Sequence, residues 1–350
     1  MTACGFVIML ASWFLIGPMF ERFIAAEAVR KAADDYVFWR LAGLPFAYVG
    51  LLARAYFVAV MHTRVITSAS IVMVLVNCGL NSLLIFGLGP FPELGIAGAA
   101  IASAVSELAA LAVYFLEFLR HSASSKLLEV SKHLWRLDWL LQHRIFMLSR
   151  WLMLQEAMAF GVWLYFFIVA LALSNIVRQL GAVLFLFVHA FGSAAGTIAA
   201  NYAGAGKPEW IRPMASLALR LCALVLLPFF LCFTLFPSLV LGILTDLPEV
   251  ISDAKPSFYV MVLAYALTTP AYLYFFVIGA LGFAKESFRM TVTAVAAYGV
   301  YIAVLNLFTP PTAVYWTADI VYGLTLWLGV TVVWRRARAA GFRSAAADGF

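Results

Sequence analysis

Ten long apolar stretches, at about 3–20, 41–61, 65–89, 94–118, 145–172, 179–203, 214–244, 256–284, 290–309 and 313–334, restrict what this chain can fold into more than any other feature. Most reach the roughly 20 residues that a helix needs to cross a hydrocarbon layer about 30 Å thick. In lipid only helices and closed barrels satisfy their own backbone polar groups, and a barrel would read as short alternating segments instead. The expectation is an all-α polytopic membrane protein with ten transmembrane helices. Composition agrees: 65% of the 350 residues are hydrophobic and 11% charged, against about 45–50% and 25% in soluble domains. Cys4, Cys78, Cys222 and Cys232 lie within apolar stretches and form no CxxC pair. They read as small hydrophobes, not as a zinc site or a disulfide framework.

The net charge of +6 is explained by topology and does not point to a nucleic-acid partner. Lysine and arginine favour cytoplasmic loops. One alternating set of loops, with Arg64, Lys126–Arg150, Lys207, Arg212, Lys285, Arg289 and Arg335–Arg343 and with Arg120 at a helix end, holds fifteen basic residues; the other holds five, Arg22, Arg30, Lys31, Arg178 and Lys255. The sparse side also carries Asp34, Asp35, Glu93, Asp246, Glu249 and Asp253. Both termini are therefore expected in the cytoplasm, in a multi-pass protein of the plasma membrane. The first stretch, taken alone, argues the other way. No basic residue precedes it, three follow it, and it lacks the basic start of a signal peptide. That conflict suggests that something upstream once set the topology.

The one long polar connection, about 120–144, has helical spacing in Leu127, Leu128, Val130, Leu134 and Trp135 and a basic face. It reads as an amphipathic linker on the cytoplasmic surface. The expected organisation is four helices in 1–119, the linker at 120–144, six helices in 145–338 and a cytoplasmic tail at 339–350. "YFVAVMHTR" leads into the third helix much as "FFVIGALGFAKESFR" leads into the ninth. This is a weak repeat of the kind seen in parallel-repeat transporters.

Among the residues that could carry chemistry, Glu156 stands out. It lies about ten residues into an apolar stretch, roughly 15 Å deep, and Arg150 is six positions away, off its helix face. Such an acid is protonated, holds a cation, faces a wet cavity or bonds a neighbouring helix. Asn77 and Asn81 share a helix face at i and i+4. Spacing alone points to hydrogen bonding between helices, while a set of neutral oxygens for a cation is the functional alternative. The small residues of "LGIAGAAIASAVS" allow close helix packing. Glu107 and Asp319 read as structural, and Arg40 and Arg54 as snorkelling from opposite ends of one helix. Pro45, Pro228 and Pro270 bend helices; Pro270, beside Thr268 and Thr269, marks a candidate broken, polar segment. No Walker loop, GxSxG, dinucleotide fingerprint or metal-ligand spacing of the five histidines is present. An enzyme, an ATP-driven pump and a metal centre are not expected.

The block "VNCGLNSLLIFGLGPFPELGIAGAAIASAVS" resembles the fifth-to-sixth helix segment of the MATE (multidrug and toxic compound extrusion) transporters. Asn77, Asn81, Gly87, Pro92, Leu94, Gly95, Gly98, Ala99 and Ala100 carry the match, and Glu93 and Asn81 lean to the NorM-like branch. Glu156, Gln179, Gly196 and Gly204 continue it. The resemblance implies a two-lobe bundle and efflux of amphipathic organic cations in exchange for Na+ or H+, by a monomer without a cofactor. It implies that this chain starts at the family's third helix, so that its N-lobe is incomplete and 60–100 further residues encoding two helices are expected upstream. Glu156 is then the cation-coupling acid. Asn77, Asn81, Ser103, Gln179, Tyr265 and Thr268 are ion or substrate contacts, with Thr268 where NorM-like members carry an aspartate. Two alternatives stay open. One is a non-transporting remnant or membrane scaffold. The other is a lipid-linked oligosaccharide flippase, which should hold several basic residues inside its cavity.

Overall fold

The computed structural model describes residues 2–23, 26–120, 139–169, 173–308 and 310–339. Within them every regular element is helical: α1 (Thr2–Phe23), α2 (Glu27–Ala59), α3 (Thr63–Phe86), α4 (Gly95–Arg120), α5 (Trp139–Val169), α6 (Leu173–Gly204), a 3-10 turn (Pro208–Trp210), α7 (Ile211–Leu235), the short α8 (Pro237–Leu241), α9 (Pro248–Ala280), α10 (Ala284–Phe308), the short α11 (Thr312–Tyr315) and α12 (Thr317–Ala339). Among the described residues eight helices are long and apolar enough to cross a membrane. The protein is an all-α polytopic membrane protein, as its apolar stretches require.

Helix ends differ from the apolar stretches for identifiable reasons. The 33 residues of α2 begin well before residue 41 and extend about 50 Å at 1.5 Å per residue. Its charged first turns, from Glu27 to Asp35, therefore reach past the hydrocarbon. The stretch 214–244 is two pieces. Phe236 leaves the helix at φ −126° and ψ 50°, and Pro237 starts α8, because proline cannot donate into a preceding helical turn. Residues 121–138 of the expected linker lie outside the described residues, as does 340–350 of the tail; 139–144 form the start of α5. The chain divides into two compact units, 1–137 and 138–350.

In the first unit α4 is the shared neighbour of α2 and α3. In lipid no hydrophobic drive pushes helices together, so close approach of backbones through small residues supplies much of the contact. Gly98 shows how close: a Cβ there would lie 2.6 Å from the Leu84 carbonyl oxygen of α3. A small core of Phe57, Val65, Ala69, Ala110 and Tyr114 closes the unit at another level, with the Phe57 and Tyr114 rings stacked at 5.7 Å. Trp13 meets Phe38 edge-on at 5.0 Å and fastens α1 to α2. Arg40 does not snorkel. Its Nη2 donates to Glu107 Oε1 at 2.6 Å, joining the middle of α2 to the middle of α4.

The second unit is built around α9, which packs on α6, α7, α10 and α12 and buries Phe258, Met261, Leu273 and Ile278 completely. On α6, Gly192 and Gly196 are one turn apart; a Cβ on Gly196 would come within 2.8 Å of Ala280, so this face must stay small. Helix α9 is continuous through Pro270, and the broken segment expected there is absent. Thr268 Oγ1 donates to the Ala264 carbonyl at 2.8 Å and Thr269 Oγ1 to that of Tyr265 at 2.6 Å, so the hydroxyls are satisfied within the helix beside the turn that proline weakens. Helix α5 packs on α10, with Trp151 against Phe288 at 5.1 Å.

Two outcomes follow from this packing. Gly98→Val overpacks the α3–α4 contact and lowers stability by about 1–3 kcal/mol, whereas Gly79→Ala, with no atom within 4 Å of its new Cβ, changes little. Thermal midpoints from size-exclusion chromatography of heated, detergent-solubilised protein measure both. The same assay on Arg40→Met and Glu107→Leu should show each single variant destabilised by up to about 3 kcal/mol and the double variant by less, because removing one partner leaves a lone charge in the lobe.

Candidate functional site

In the first unit the structure brings together three of the residues expected at an ion or substrate site. Asn81 Nδ2 donates to Asn77 Oδ1 at 3.0 Å along α3, and Asn77 Nδ2 reaches Ser103 Oγ on α4 at 3.4 Å. Ser103 in turn donates to the Ala99 carbonyl at 3.0 Å. The interhelical hydrogen bonding that the spacing pointed to is therefore present. Asn81 Oδ1 is buried without a hydrogen-bond partner, so the cluster keeps one acceptor in reserve.

The second unit contains a cavity of about 360 Å³ walled by α5, α6, α9, α10 and α12. Its aromatic lining comprises Phe185, Tyr265, Tyr272, Phe275, Phe276, Tyr298 and Tyr322. Tyr322 is central, stacked on Tyr272 at 6.2 Å and edge-on to Tyr298 at 6.3 Å. Phe185 meets Tyr272 edge-on at 5.5 Å, and His189 meets Phe276 at 4.9 Å. Between these rings stand the polar groups Gln155, Glu156, Arg178, His189, Thr268, Thr291 and Asp319. Arg178 lies over the Trp316 ring, 5.7 Å from its centre, and within Coulombic reach of Asp319. Tyr322 is within such reach of both Glu156 and Asp319. The cavity thus combines an aromatic lining with two carboxylates and one guanidinium.

Of the expected site residues in this unit, Glu156, Tyr265 and Thr268 line the cavity and Gln179 does not; Gln179 is exposed. Thr268 is buried against α12, where any Cβ on Gly323 would overlap its side chain. Two important lining residues were placed elsewhere by the sequence. Asp319 read as structural and Arg178 as a loop residue, but α6 starts at Leu173 and carries Arg178 inside the bundle.

The comparisons agree with this architecture. The MatE family model matches residues 152–307, which include Glu156, Arg178, Tyr265 and Thr268 but not Asp319. The chain is 32% identical over 120 residues to an FAD transporter of Shewanella oneidensis, covering 33% of this chain and 26% of the relative. It is 31% identical over 99 residues to a probable multidrug resistance protein NorM of Bacillus cereus, covering 28% and 22%. The alignments thus span about a quarter of the length of these curated relatives. Among solved structures it resembles the Vibrio cholerae MATE transporter VcmN, with a TM-score of 0.78 and 17% identity over 96% of this chain and 77% of that one. It also resembles a MOP superfamily transporter from Pyrococcus furiosus, with a TM-score of 0.81 and 15% identity over 98% and 77%. The members of this family are transporters and not enzymes. The MatE model thus matches the segment that carries most of the cavity lining, and the fold is similar to that of solved MATE transporters.

Proposed function

We propose that the protein is a secondary active efflux antiporter that exports amphipathic organic cations in exchange for H+ or Na+. The observation that carries this reading is the cavity of the second unit. It is lined mostly by rings, holds two carboxylates against one guanidinium, and lies at the lower end of the size range that accepts drug-like molecules. Aromatic faces attract organic cations, and an acid at mid-depth can exchange a proton or a small cation for one. The Bacillus cereus relative, named as a probable multidrug resistance protein, supports the same assignment. Glu156 is the coupling acid in this proposal, and the Asn77–Asn81–Ser103 cluster is a second polar contact for ion or substrate. The protein acts as a monomer in the plasma membrane with both termini in the cytoplasm.

The Shewanella oneidensis relative, an FAD transporter, gives a second reading, a flat aromatic anion, which Arg178 would favour. The excess of carboxylates over arginines in the cavity weighs against it, and against a flippase that must hold a diphosphate.

Reconstituted liposomes with an imposed proton or sodium gradient separate these readings. Ethidium should move against its gradient and FAD should not. Glu156→Gln should abolish ethidium movement while the protein still inserts and elutes as the wild type does. Normal ethidium export by Glu156→Gln would make Glu156 a structural residue. Export of FAD alone would establish the second reading in place of the first.

A further inference from the structure

An antiporter needs its cargo and its coupling ion to exclude one another, and the cavity of the second unit contains a group able to do this by charge alone. His189 lies near the midpoint of the 32-residue α6. It is an exposed residue and it lines the cavity. Phe185 precedes it by one turn on the same face of the helix, and both face the cavity. Two rings hold the imidazole: Phe185 at 6.2 Å and, from α9, Phe276 edge-on at 4.9 Å. Ring contacts orient an imidazole without using its nitrogens. Among the described residues neither Nδ1 nor Nε2 of His189 takes part in a hydrogen bond or an ion pair. The position of the ring is therefore fixed while its proton site stays open to the cavity. Histidine is also the side chain whose charge ordinarily changes between pH 5 and 8.

We propose that His189 is a proton-binding residue of this cavity, through which H+ and the cargo cation compete for the same space. This rests on the cation-export reading above and deepens it by naming H+ as the coupling ion and a second group that carries it. A neutral imidazole adds no charge to the wall. A protonated one places a positive charge inside a cavity of about 360 Å³, where a cargo cation cannot stand far from it. Two like charges about 7 Å apart, at an effective dielectric of about 20, oppose each other by at least roughly tenfold in affinity. By linkage the effect is mutual: H+ on His189 weakens cargo binding, and cargo drives the proton off the ring nitrogen into water by the same factor. When the cargo leaves, the proton returns. Protonation of Glu156 acts in the same sense, because it removes a negative charge from the cavity. The titratable and charged groups that share the wall with His189 are Glu156 on α5, Arg178 on α6 itself, Tyr265 and Tyr272 on α9, Tyr298 on α10, and Asp319 and Tyr322 on α12. Helix α7, which also packs on α6, contributes no residue to the lining.

A proton-binding histidine leaves a signature that a merely structural one does not: the effect of replacing it depends on pH. The experiment is ethidium binding, by fluorescence, to the full 350-residue chain in nanodiscs at pH 5.5 and pH 8. The ratio of affinities, His189→Gln over wild type, should rise on the order of tenfold from pH 8 to pH 5.5. The titrations of Glu156 and Asp319 occur in both proteins and drop out of that ratio. His189→Phe keeps the ring contacts with Phe185 and Phe276 and serves as the second uncharged variant should His189→Gln fail to elute as folded protein. His189→Lys, charged at both pH values, should bind on the order of tenfold more weakly than His189→Gln at each. In the wild type, with its histidines isotope-labelled, the imidazole NMR signal that is lost in the variant should pass from the charged to the neutral form when ethidium is added at pH 6. A ratio that stays constant with pH overturns the proposal, as does a His189 signal whose protonation ethidium leaves unchanged, or displacement of ethidium by Na+ and not by H+. No ethidium binding by the wild type at either pH would remove the cation-export reading itself and this proposal with it, an outcome distinct from wild-type binding that His189 does not control.

Discussion

Moving a charged or hydrogen-bonding group into hydrocarbon costs several kcal/mol unless a partner receives it, and this cost governs nearly every polar placement in the protein. It makes the described elements helices from end to end, since a helix satisfies its own backbone. It leaves large apolar side chains such as Leu224, Leu307 and Leu328 on outer faces, where lipid is the natural neighbour. It also shows in where polar side chains of the helices find partners. Some are joined across helices, as Arg40 is to Glu107 and Asn77 to Ser103. Others bond a carbonyl of their own helix, as Thr197 and Thr234 do, or are gathered round a cavity, as Glu156, Arg178 and Asp319 are.

That cavity exists because α9 can be central without being filled in. Its buried residues pack against the glycine face of α6 on one side and against α12 on another. Towards α5, tyrosines and threonines leave space. Continuity through Pro270 matters here. The proline removes one backbone donor, yet Thr268 and Thr269 spend their hydroxyls on neighbouring carbonyls. The helix holds its line past the cavity and offers Thr268 as a surface rather than as a free donor.

The fold was legible in the sequence because the length of apolar runs is a strong signal and the bilayer leaves few alternatives. The block around Asn77 and Gly98 was legible too, since small residues and paired amides at helical spacing imply close helices whatever their global arrangement. The cavity was legible only in part. Glu156 announced itself by interrupting an apolar run in mid-helix. Asp319 and Arg178 did not, because each lies near a helix end, where charge is ordinary and the linear sequence cannot tell a solvent-facing position from one facing the bundle. Arg40 was misjudged for a related reason. Its partner Glu107 is 67 residues away, and periodicity within one helix carries no information about which distant face it meets.

That separation has a consequence for how the protein is made. Arg40 reaches the middle of α2 with its acid still to be synthesised. At about 5–20 residues per second, the 67 residues between them take roughly 3 to 13 seconds. During that interval Arg40 has no acid from α4 opposite it. The ion pair between α2 and α4 therefore forms only once α4 has emerged from the ribosome, which makes α4 the step that completes that contact of the first unit.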